Sequence, residues 1–343
     1  MKKEIWGFYP PPIGGISIYC KRLVEKLHAR DEHIIMRNFA GSQSKCNHIV
    51  DVKNKLIEFL KLFFVSKKLI HAQFTNFYLL MLLYICGWRH DIIITLHNRR
   101  LILLTGWKRW VVNRLLQRVK YVIYNDPTYT PLLQKTFDID EGKIVLLPTY
   151  ISPGKDEFKG LTHEIVTFLS EHKYSVSANA HRVIRNVYGD LYGIDQLISL
   201  MDKLVNGKGL DVGMVFCISE IYNHEYYDQC RTRIKKLGLE RNFLFVVQSS
   251  VNGFEVWAAT DLFLRPTMSD MEGVSVKEAL QFGTPVVASD VCTRPKEAVL
   301  YEAGNADDLF EKVYPMLIRK SRIEYMPEVC VEDEILRIYS LLG

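Results

Sequence analysis

Three carboxylates stand close together in the segment MSDMEGVSVKEALQF, and their side chains could bind hydroxyl groups. They are Asp270, Glu272 and Glu278. An ionised carboxylate accepts several hydrogen bonds, so such groups can hold the hydroxyls of ribose and sugar rings. A structural interpretation fits the spacing equally well, because Ser275 and Glu278 form a capping-box pattern and the other two acids suit a solvated loop.

The elements around these acids predict a βαβ unit. DLFLRPT at 261–267 and PVVAS at 285–289 are typical of buried strands, and VSVKEALQF between them is typical of a helix. In a parallel sheet the loop between strand and helix lies at the ligand-binding edge. Backbone amides at a helix start bind phosphate, and here they belong to Gly273, Val274 and Ser275. A diphosphate on the amides and hydroxyls on the acids together describe a nucleotide sugar.

Short apolar runs alternate with helical patterns along most of the 343 residues. The predicted strands are 4–9, 33–39, 69–74, 91–97, 121–126, 143–149, 174–180, 211–219, 243–248, 261–267 and 285–289. The predicted helices include 16–30, 53–66, 108–119, 193–205, 224–237, 253–259 and 274–282. This alternation is typical of βα units around parallel sheets.

The proline- and glycine-rich segment 148–160 predicts a linker between two domains. We therefore expect an α/β chain with Rossmann-like domains at 1–150 and 151–330, facing each other across a ligand-binding cleft. The C-terminal residues, 331–343, are expected to form a helix that packs back toward the first domain.

The composition is that of an ordinary globular protein, with 48% hydrophobic and 24% charged residues. Residues 1–150 contain 23 Lys and Arg against 11 Asp and Glu, whereas the remainder contains 21 against 28. A basic first half suits phosphates, nucleic acid or an anionic membrane, or is simply a solvated face.

The seven cysteines lack metal-ligand or redox spacing, which predicts reduced, mostly buried thiols in a cytosolic protein. The N-terminal residues show no signal-peptide pattern. The apolar run at 77–88 is too short to cross a bilayer and predicts a buried helix.

The segment 270–289 resembles the signature of family 4 retaining glycosyltransferases, which have the two-domain GT-B fold. That signature is an acid, seven intervening residues and then a Glu, which opens a run similar to EALQFGTPVVAS in this chain. Seven residues separate Asp270 from Glu278, whereas Glu272 has the glycine that often follows the first acid but not the spacing. Other segments resemble the family in the same order along the chain: GFYPPPIGGISIYCKRLVEKL, ITLHN, KIVLLPTYI and GDLYGIDQLISLM.

The resemblance implies roles for residues of the first domain. Gly14 and Gly15 match a glycine-rich loop whose backbone approaches a phosphate or sugar, although a tight turn would use the same pair. His97 ends an apolar strand and matches a histidine that faces the donor sugar as a hydrogen-bond partner. A lone histidine in such a position is otherwise more often structural.

In the resembled family an arginine and a lysine commonly neutralise the diphosphate. Arg182 and Arg185 follow the strand at 174–180 and are the candidate cations, with Asn179 supporting the same pocket. Tyr192 stands where the lysine would fall. Either one of the two arginines acts alone or another cation, such as Arg265, assists.

A basic and aromatic helix is predicted at 106–121, with Trp107 and Trp110 among its residues. Such a helix either lies on an anionic membrane or covers the sheet in the ordinary way.

These patterns favour a retaining glycosyltransferase that moves a hexosyl unit from a UDP-sugar to a saccharide or lipid-linked glycan during surface polysaccharide assembly. His97, Asp270 and Glu278 are the candidate catalytic residues, with Glu278 on the ribose and Asp270 on the donor sugar. We expect no metal site, no cofactor and no nucleic-acid partner. The expected location is the cytoplasm or the inner face of the cell membrane. The alternatives are a GT-B sugar-nucleotide epimerase and a non-catalytic protein whose basic half binds nucleic acid.

Overall fold

The computed structural model describes residues 1–11, 14–186, 189–247, 252–270, 272–327 and 329–343. The chain forms two α/β units. The first comprises Met1–Ile151 and Glu328–Gly343, and the second comprises Ser152–Pro327. Each unit has its own sheet of parallel strands and its own hydrophobic core.

Seven parallel strands form the sheet of the first unit. They are β1 (Lys2–Gly7), β2 (Ile34–Asn38), β3 (Ile49–Asp51), β4 (Lys68–Ala72), β5 (Asp91–Leu96), β6 (Tyr121–Tyr124) and β7 (Ile144–Leu146). Their order is β3-β2-β1-β4-β5-β6-β7. Every residue of β4 and β5 is buried, as expected for central strands covered on both faces. The six strands predicted in this half are present, and only the three-residue β3 was not predicted.

Five helices connect these strands. They are α1 (Gly15–Arg30), α2 (Lys55–Leu60), α3 (Phe77–Cys86), α4 (Gly106–Arg118) and α5 (Thr130–Phe137). The first packs on one face of the sheet through apolar residues at helical spacing, whereas the other four cover the opposite face. Among the described residues no helix is long and apolar enough to cross a membrane.

One side of α3 contradicts the prediction of a buried helix. Tyr78 and Ile85 are 62% and 52% exposed, and Trp88, which follows the helix, is 60% exposed. The opposite side of α3 contributes Leu79, Leu80 and Leu83 to the core. The uniform hydrophobicity of this segment therefore reflects a buried side together with an exposed apolar side.

The second unit contains a sheet of six parallel strands and a separate two-stranded hairpin. The strands are β8 (Tyr174–Val183), β9 (Arg185–Asn186), β10 (Gly189–Asp190), β11 (Val212–Ile221), β12 (Phe243–Val247), β13 (Leu262–Arg265), β14 (Val286–Ser289) and β15 (Val299–Tyr301). The sheet order is β12-β11-β8-β13-β14-β15, and β9 pairs with β10 in antiparallel fashion. The last residue of the predicted strand 243–248 lies outside the described residues.

The helices of the second unit lie between these strands and at its two ends. They are α6 (His163–Ser170), α7 (Ile194–Asp202), α8 (His224–Lys236), α9 (Gly253–Ala259), α10 (Val274–Gln281) and α11 (Ala306–Arg319). A π-helical turn, Lys203–Gly207, extends α7. The predicted helices 193–205, 224–237, 253–259 and 274–282 correspond to α7 through α10.

The C-terminal helix α12 (Val331–Ser340) belongs to the first unit. Its apolar residues Val331, Ile335 and Ile338 join the core beneath α1. Glu332 in its first turn accepts a hydrogen bond from Lys26 of α1 at 2.8 Å.

All seven cysteine thiols are free. Three are buried, three are half-buried and Cys330 is exposed, so their burial is less complete than predicted.

Candidate functional site

The loop between β13 and α10, residues 266–273, carries two of the three candidate acids. β13 and β14 run side by side in parallel, and α10 connects them, so the predicted βαβ unit is present. The loop follows the carboxyl end of β13, which is the edge where α/β proteins bind ligands. Met271 lies outside the described residues.

Asp270 is held by two arginines. Its Oδ2 accepts hydrogen bonds from Nε of Arg265 and from Nη1 of Arg294, each at 3.0 Å. Burial alone would raise the pKa of Asp270, but the two guanidinium groups outweigh it and lower the pKa to about 2. Asp270 is therefore ionised throughout the physiological pH range.

Arg294 was not identified from the sequence, and its side chain is fully buried. Beside its bond to Asp270, Nη1 donates to the carbonyl of Glu272, and Nη2 donates to Oγ1 of Thr267, both at 3.4 Å. Nε donates to the carbonyl of Ser289 at the end of β14, also at 3.4 Å. Arg294 thus ties the acidic loop to the neighbouring strand. Nothing in the surrounding CTRPKE pattern indicates such a role.

Gly273 is the residue at which the loop turns into α10. Its φ of +65° lies in the left-handed region that glycine adopts with little strain. A Cβ at this position would collide with Nη1 of Arg294. Both the backbone conformation and the packing of Arg294 therefore require glycine here.

The capping box expected from Ser275 and Glu278 is not formed. Gly273 is the N-cap of α10, so Ser275 is the second residue of the helix and not its cap. The left-handed turn at Gly273 brings the chain into helical conformation earlier than the Ser–Glu spacing suggests. Glu278 is half-buried, and its Oε2 accepts a hydrogen bond of 3.4 Å from Nε1 of Trp257.

Glu272 has a different partner from Asp270. Its Oε1 forms an ion pair with Nζ of Lys277 on α10, and both side chains are largely buried. The two acids that the sequence left as alternatives therefore differ in the cations with which they pair. Asp270 is bound to arginines of β13 and of the segment after β14, whereas Glu272 is bound to the helix that follows it.

Arg265 connects the acidic loop to the central strand of the sheet. Its Nη1 donates to Oδ1 of Asn179 on β8 at 2.9 Å, and its guanidinium lies over the ring of Tyr192 at 5.4 Å. Asn179 therefore lies in the same cluster as Asp270, through a shared arginine. Tyr192 occupies the position at which the resembled family has a lysine. The cation that lies beside Tyr192 in this structure is Arg265.

The two arginines that the sequence favoured have other partners. Nε of Arg182 donates to Oε2 of Glu220 on β11 at 2.6 Å, and both side chains are about half exposed. Arg185 lies in β9, with its guanidinium 5.4 Å from the ring of Tyr226. In the described part of the chain, the hydrogen bonds of the Asp270 cluster come from Arg265 and Arg294 instead.

At the start of α1 the two glycines are not required by packing. Gly14 is the N-cap, with extended backbone, and its N–H donates to Oγ of Ser17 at 2.9 Å. Among the described residues, a Cβ on Gly15 would meet no atom within 4 Å, and one on Gly14 would meet only Oγ of Ser17 at 4.0 Å. Pro12 and Ile13 of the same loop lie outside the described residues.

His97 directly follows β5 and is half-buried. Its Nε2 lies 2.8 Å from Oε1 of Gln73, and its ring meets Tyr19 of α1 edge-on with centroids 5.0 Å apart. The ring orientation is thus set by a polar contact on one side and an aromatic contact on another.

The candidate residues form one group in each unit. His97 and the two glycines lie in the first unit, and the cluster around Asp270 lies in the second. Within the residues that the structure describes, no three His, Cys, Asp or Glu side chains are grouped as metal ligands would be.

An exposed apolar and basic surface lies on α3, on α4 and on residues that flank these helices in sequence, and we call it the α3–α4 surface. Its exposed large side chains are Tyr78, Ile85, Trp88, Leu103, Trp107 and Trp110. Basic side chains lie over several of its rings: Lys108 over Phe77, Arg114 over Trp110 and Arg89 over Trp88. The predicted basic and aromatic helix is therefore present as α4, and α3 widens the surface.

The cluster around Asp270 lies in a segment with a recognisable family pattern. Residues 186–313 match the family described as Glycosyl transferases group 1. The match spans α10 and includes Arg265, Asp270, Glu278 and Arg294. The matched residues all lie within the second unit. No curated protein matches the chain in sequence.

Solved structures resemble the chain over nearly its whole length. Anabaena Alr3699/HepE in complex with UDP aligns with a TM-score of 0.72 and 14% identity, covering 99% of this chain and 100% of that one. A glycosyltransferase from Rickettsia africae ESF-5 aligns at 0.73 and 15% identity, covering 99% and 98%. The lipopolysaccharide outer core galactosyltransferase WaaB aligns at 0.65 and 12% identity, covering 99% and 100%. At these identities the likeness establishes the fold, which is the expected GT-B fold.

Proposed function

We propose that this protein is a retaining glycosyltransferase that transfers a hexosyl unit from a UDP-sugar to a saccharide acceptor. The observation that carries the proposal is the cluster of Asp270, Arg265 and Arg294 at the start of α10, inside the segment with the glycosyl transferases group 1 pattern. A nucleotide sugar needs positive groups for its diphosphate and acceptors for its hydroxyls. Both kinds of group are present at this helix start.

The start of α10 and Arg265 are the proposed binding groups for the diphosphate of the donor. The N-terminus of a helix carries roughly half a positive charge, and its first amides point toward a bound anion. Arg265 adds a full charge beside Tyr192, where the resembled family has a lysine. When the bond to the sugar breaks, negative charge grows on the departing diphosphate, and these fixed groups stabilise it.

Asp270 and Glu278 are the proposed acceptors of donor hydroxyls. The arginines keep Asp270 ionised, so it can accept hydrogen bonds from the sugar while it remains bound to them. Glu278, one turn into α10 and half-buried, is the proposed partner of the ribose. His97 of the first unit is the proposed hydrogen-bond partner of the donor sugar.

The structural relatives support the donor and the acceptor class. Alr3699/HepE is described in complex with UDP, with UDP-glucose, and with UDP and glucose. WaaB is described as a galactosyltransferase of the lipopolysaccharide outer core. For the present protein we propose a UDP-hexose donor and a saccharide or lipid-linked glycan acceptor used in surface polysaccharide assembly.

A lipid-linked acceptor would explain the α3–α4 surface, which we propose binds an anionic membrane. Trp107 and Trp110 are 60% and 54% exposed, and basic residues surround them. Residues 59–125 contain eleven Lys and Arg and one acid, Asp91. Tryptophan favours the lipid–water interface, and each basic residue near an anionic surface adds about 1 kcal/mol of attraction. The proposed location is the inner face of the cell membrane.

Transfer is tested by incubating the purified protein with a panel of nucleotide sugars and with saccharide and lipid-linked acceptors. We expect UDP release, and we expect NMR to show a product with the anomeric configuration of the donor. Glu278→Gln should lower turnover, whereas Glu220→Gln, which alters an exposed carboxylate, is the matched control. An inverted product contradicts retention, and donor isomerisation without acceptor indicates an epimerase. Salt-sensitive nucleic-acid binding without turnover indicates a binding protein.

Membrane binding is tested separately by sedimentation with anionic and with zwitterionic vesicles. We expect binding to the anionic vesicles only, weakened by salt and by replacement of Trp107 and Trp110 with serine. Tyr222→Ser, which changes a residue 63% exposed in the second unit, is the control. Equal binding by the tryptophan variant and the native protein would contradict the proposal.

A further inference from the structure

Four polar side chains form a continuous hydrogen-bonded chain inside the first unit. Nε2 of His97 lies 2.8 Å from Oε1 of Gln73, and Nε2 of Gln73 lies 2.9 Å from Nε2 of His71. Nδ1 of His71 lies 2.7 Å from the hydroxyl of Tyr339. The chain therefore runs from the end of β5, across the end of β4, to the C-terminal helix α12.

The sheet explains why these side chains meet. His71 and Gln73 are two residues apart, and so are Thr95 and His97, so each pair projects from one face of its strand. β4 and β5 are parallel neighbours, which places the two pairs side by side. Gly7 on β1 leaves room beside them, because a Cβ there would lie 3.0 Å from Cβ of Gln73.

The proton positions along the chain follow from the two ends of the Gln73 amide. An amide oxygen only accepts and an amide nitrogen only donates. His97 therefore donates its Nε2–H to Oε1 of Gln73, and Gln73 donates to Nε2 of His71. His71 then carries its single ring proton on Nδ1 and donates it to Tyr339. All three hydrogen bonds point in the same direction.

His71 suits this assignment because it stays neutral. It is fully buried, and burial, together with the nearby His97, lowers its pKa to about 3. The hydroxyl of Thr95 lies 2.7 Å from the same nitrogen and can donate to it as well, which is compatible with this assignment.

We propose that Gln73 is a positioning residue that selects the neutral His97 tautomer protonated on Nε2, and that His71 and Tyr339 hold Gln73 in the orientation which does so. The other ring nitrogen of His97, Nδ1, is then a hydrogen-bond acceptor. Such a ring can accept a hydrogen bond from a sugar hydroxyl, whereas the opposite tautomer would present an N–H on that side. The effect on turnover rests on the glycosyltransferase function proposed above, but the tautomer does not.

The first test reads the tautomer directly, in the full-length protein labelled with ¹⁵N-histidine. Proton–nitrogen correlation spectra distinguish protonated from unprotonated ring nitrogens, and His97→Asn and His71→Asn identify the two signals. We expect neutral His97 to be protonated on Nε2 and His71 on Nδ1. Protonation of His97 on Nδ1 would overturn the proposal.

The second test changes Gln73. Gln73→Met keeps the approximate shape of the side chain but removes both amide groups, and His71 retains its contact with Thr95. We expect the His97 signals to shift to a mixture of tautomers. In Gln73→Glu the carboxylate should stabilise the doubly protonated ring, so that this form persists to higher pH. The titratable side chains near His97 include His71 and Tyr19, and Tyr339 lies on the far side of His71. An unchanged His97 spectrum in both variants would overturn the proposal.

Turnover provides the third readout. Gln73→Met should lower kcat roughly 10- to 100-fold with a smaller change in donor KM, because the ring is misplaced and not lost. In a His97→Ala background, Gln73→Met should have no further effect, since Gln73 acts through His97. A merely structural Gln73 would lower turnover in both backgrounds, and that result would refute the positioning role. If the tautomer changes as expected but turnover does not, the positioning stands and the function proposed for His97 is wrong.

Discussion

In the first unit His97 is held through Gln73 and the neutral His71, whereas in the second unit Asp270 is held by two guanidinium groups. Both arrangements fix a side chain at the carboxyl edge of a parallel sheet. A chain of neutral hydrogen bonds controls which nitrogen carries a proton. A cluster of ion pairs controls whether a carboxylate carries one at all.

The difference matches the chemistry proposed for each side chain. A ring that binds a sugar hydroxyl needs a defined tautomer, and a fixed negative charge nearby would favour its doubly protonated form. A carboxylate beside a diphosphate needs cations, because two negative groups would otherwise repel each other. Substitutions in one unit should therefore change protonation pattern, and substitutions in the other should change charge balance.

The largest effect is expected where the ion-pair cluster is broken. Asp270→Ala leaves the fully buried Arg294 without its carboxylate, and breaking a buried pair in this way costs about 3–5 kcal/mol of stability. It should lower kcat/KM by roughly 100-fold or more, as losses of preorganised polar groups do. Glu272→Ala, which releases Lys277, should cost less activity. Steady-state UDP release and urea unfolding of both variants make the comparison.

Asp270→Asn is the control for this pair, because it keeps the shape of the side chain and removes only its charge. It should fold better than Asp270→Ala and remain poorly active. Greater loss of activity in Glu272→Ala than in Asp270→Ala would show that Glu272 is the first acid of the motif.

A smaller effect is expected from adding one methyl group at the two helix starts. Gly273→Ala forces a left-handed residue to carry a Cβ, which costs about 1–2 kcal/mol, and also displaces Arg294. The new Cβ of Gly15→Ala meets no atom of the described residues, so this change should leave stability unchanged or raise it by up to about 1 kcal/mol. Thermal unfolding measures both. If Gly15→Ala keeps stability but raises the donor KM, the glycine serves the ligand; an unchanged KM would show that it does not.

Much of the fold could be predicted from the sequence because both sheets are built from short apolar strands separated by helices. The strands 69–74 and 91–97 are apolar enough to be assigned alone, and they became the buried β4 and β5. The strands β3 and β15 and the hairpin of β9 and β10 were missed because two or three residues are too few to show a period.

The candidate site was harder to predict because its contacts are distant in sequence. The spacing of Asp270 and Glu278 was visible in the sequence. The partner Arg294, however, follows both α10 and β14 along the chain, and no motif around it indicates that it contacts Asp270. Gln73 likewise looks like an ordinary strand residue until β5 places His97 beside it. The alternative interpretation of Ser275 and Glu278 as a capping box was wrong because Gly273, in a left-handed conformation, is the N-cap of α10.

The two groups should also respond differently to acid. The pKa of His71 is lowered from 6.5 to about 3, so its contribution to stability is full above the unfolded value and declines as the pH falls below it. The pKa of Asp270 is lowered from 3.8 to about 2, so its contribution is lost only in stronger acid. As the pH falls from about 6.5 to about 5, the preference of unfolded His71 for a proton should lower the free energy of unfolding by up to about 1.4 kcal/mol per pH unit.

Urea unfolding at several pH values checks this sign. His71→Asn should flatten the decline in unfolding free energy within the upper window, whereas Asp270→Asn should leave that window unchanged. An equally steep decline in His71→Asn and the native protein would mean that His71 is not the neutral group in the hydrogen-bonded chain.

The smallest effect is expected at Arg182, and it decides which arginine serves the diphosphate. Arg182 forms an ion pair with Glu220 in which both side chains are about half exposed, and such a pair contributes only about 0–1 kcal/mol. Arg182→Ala should therefore change stability little and donor KM less than about threefold. Arg265→Met should raise donor KM far more, because Arg265 joins Asn179, Tyr192 and Asp270 in one half-buried cluster. If Arg182→Ala raised the donor KM more than Arg265→Met did, the diphosphate would be assigned to the exposed end of β8 instead.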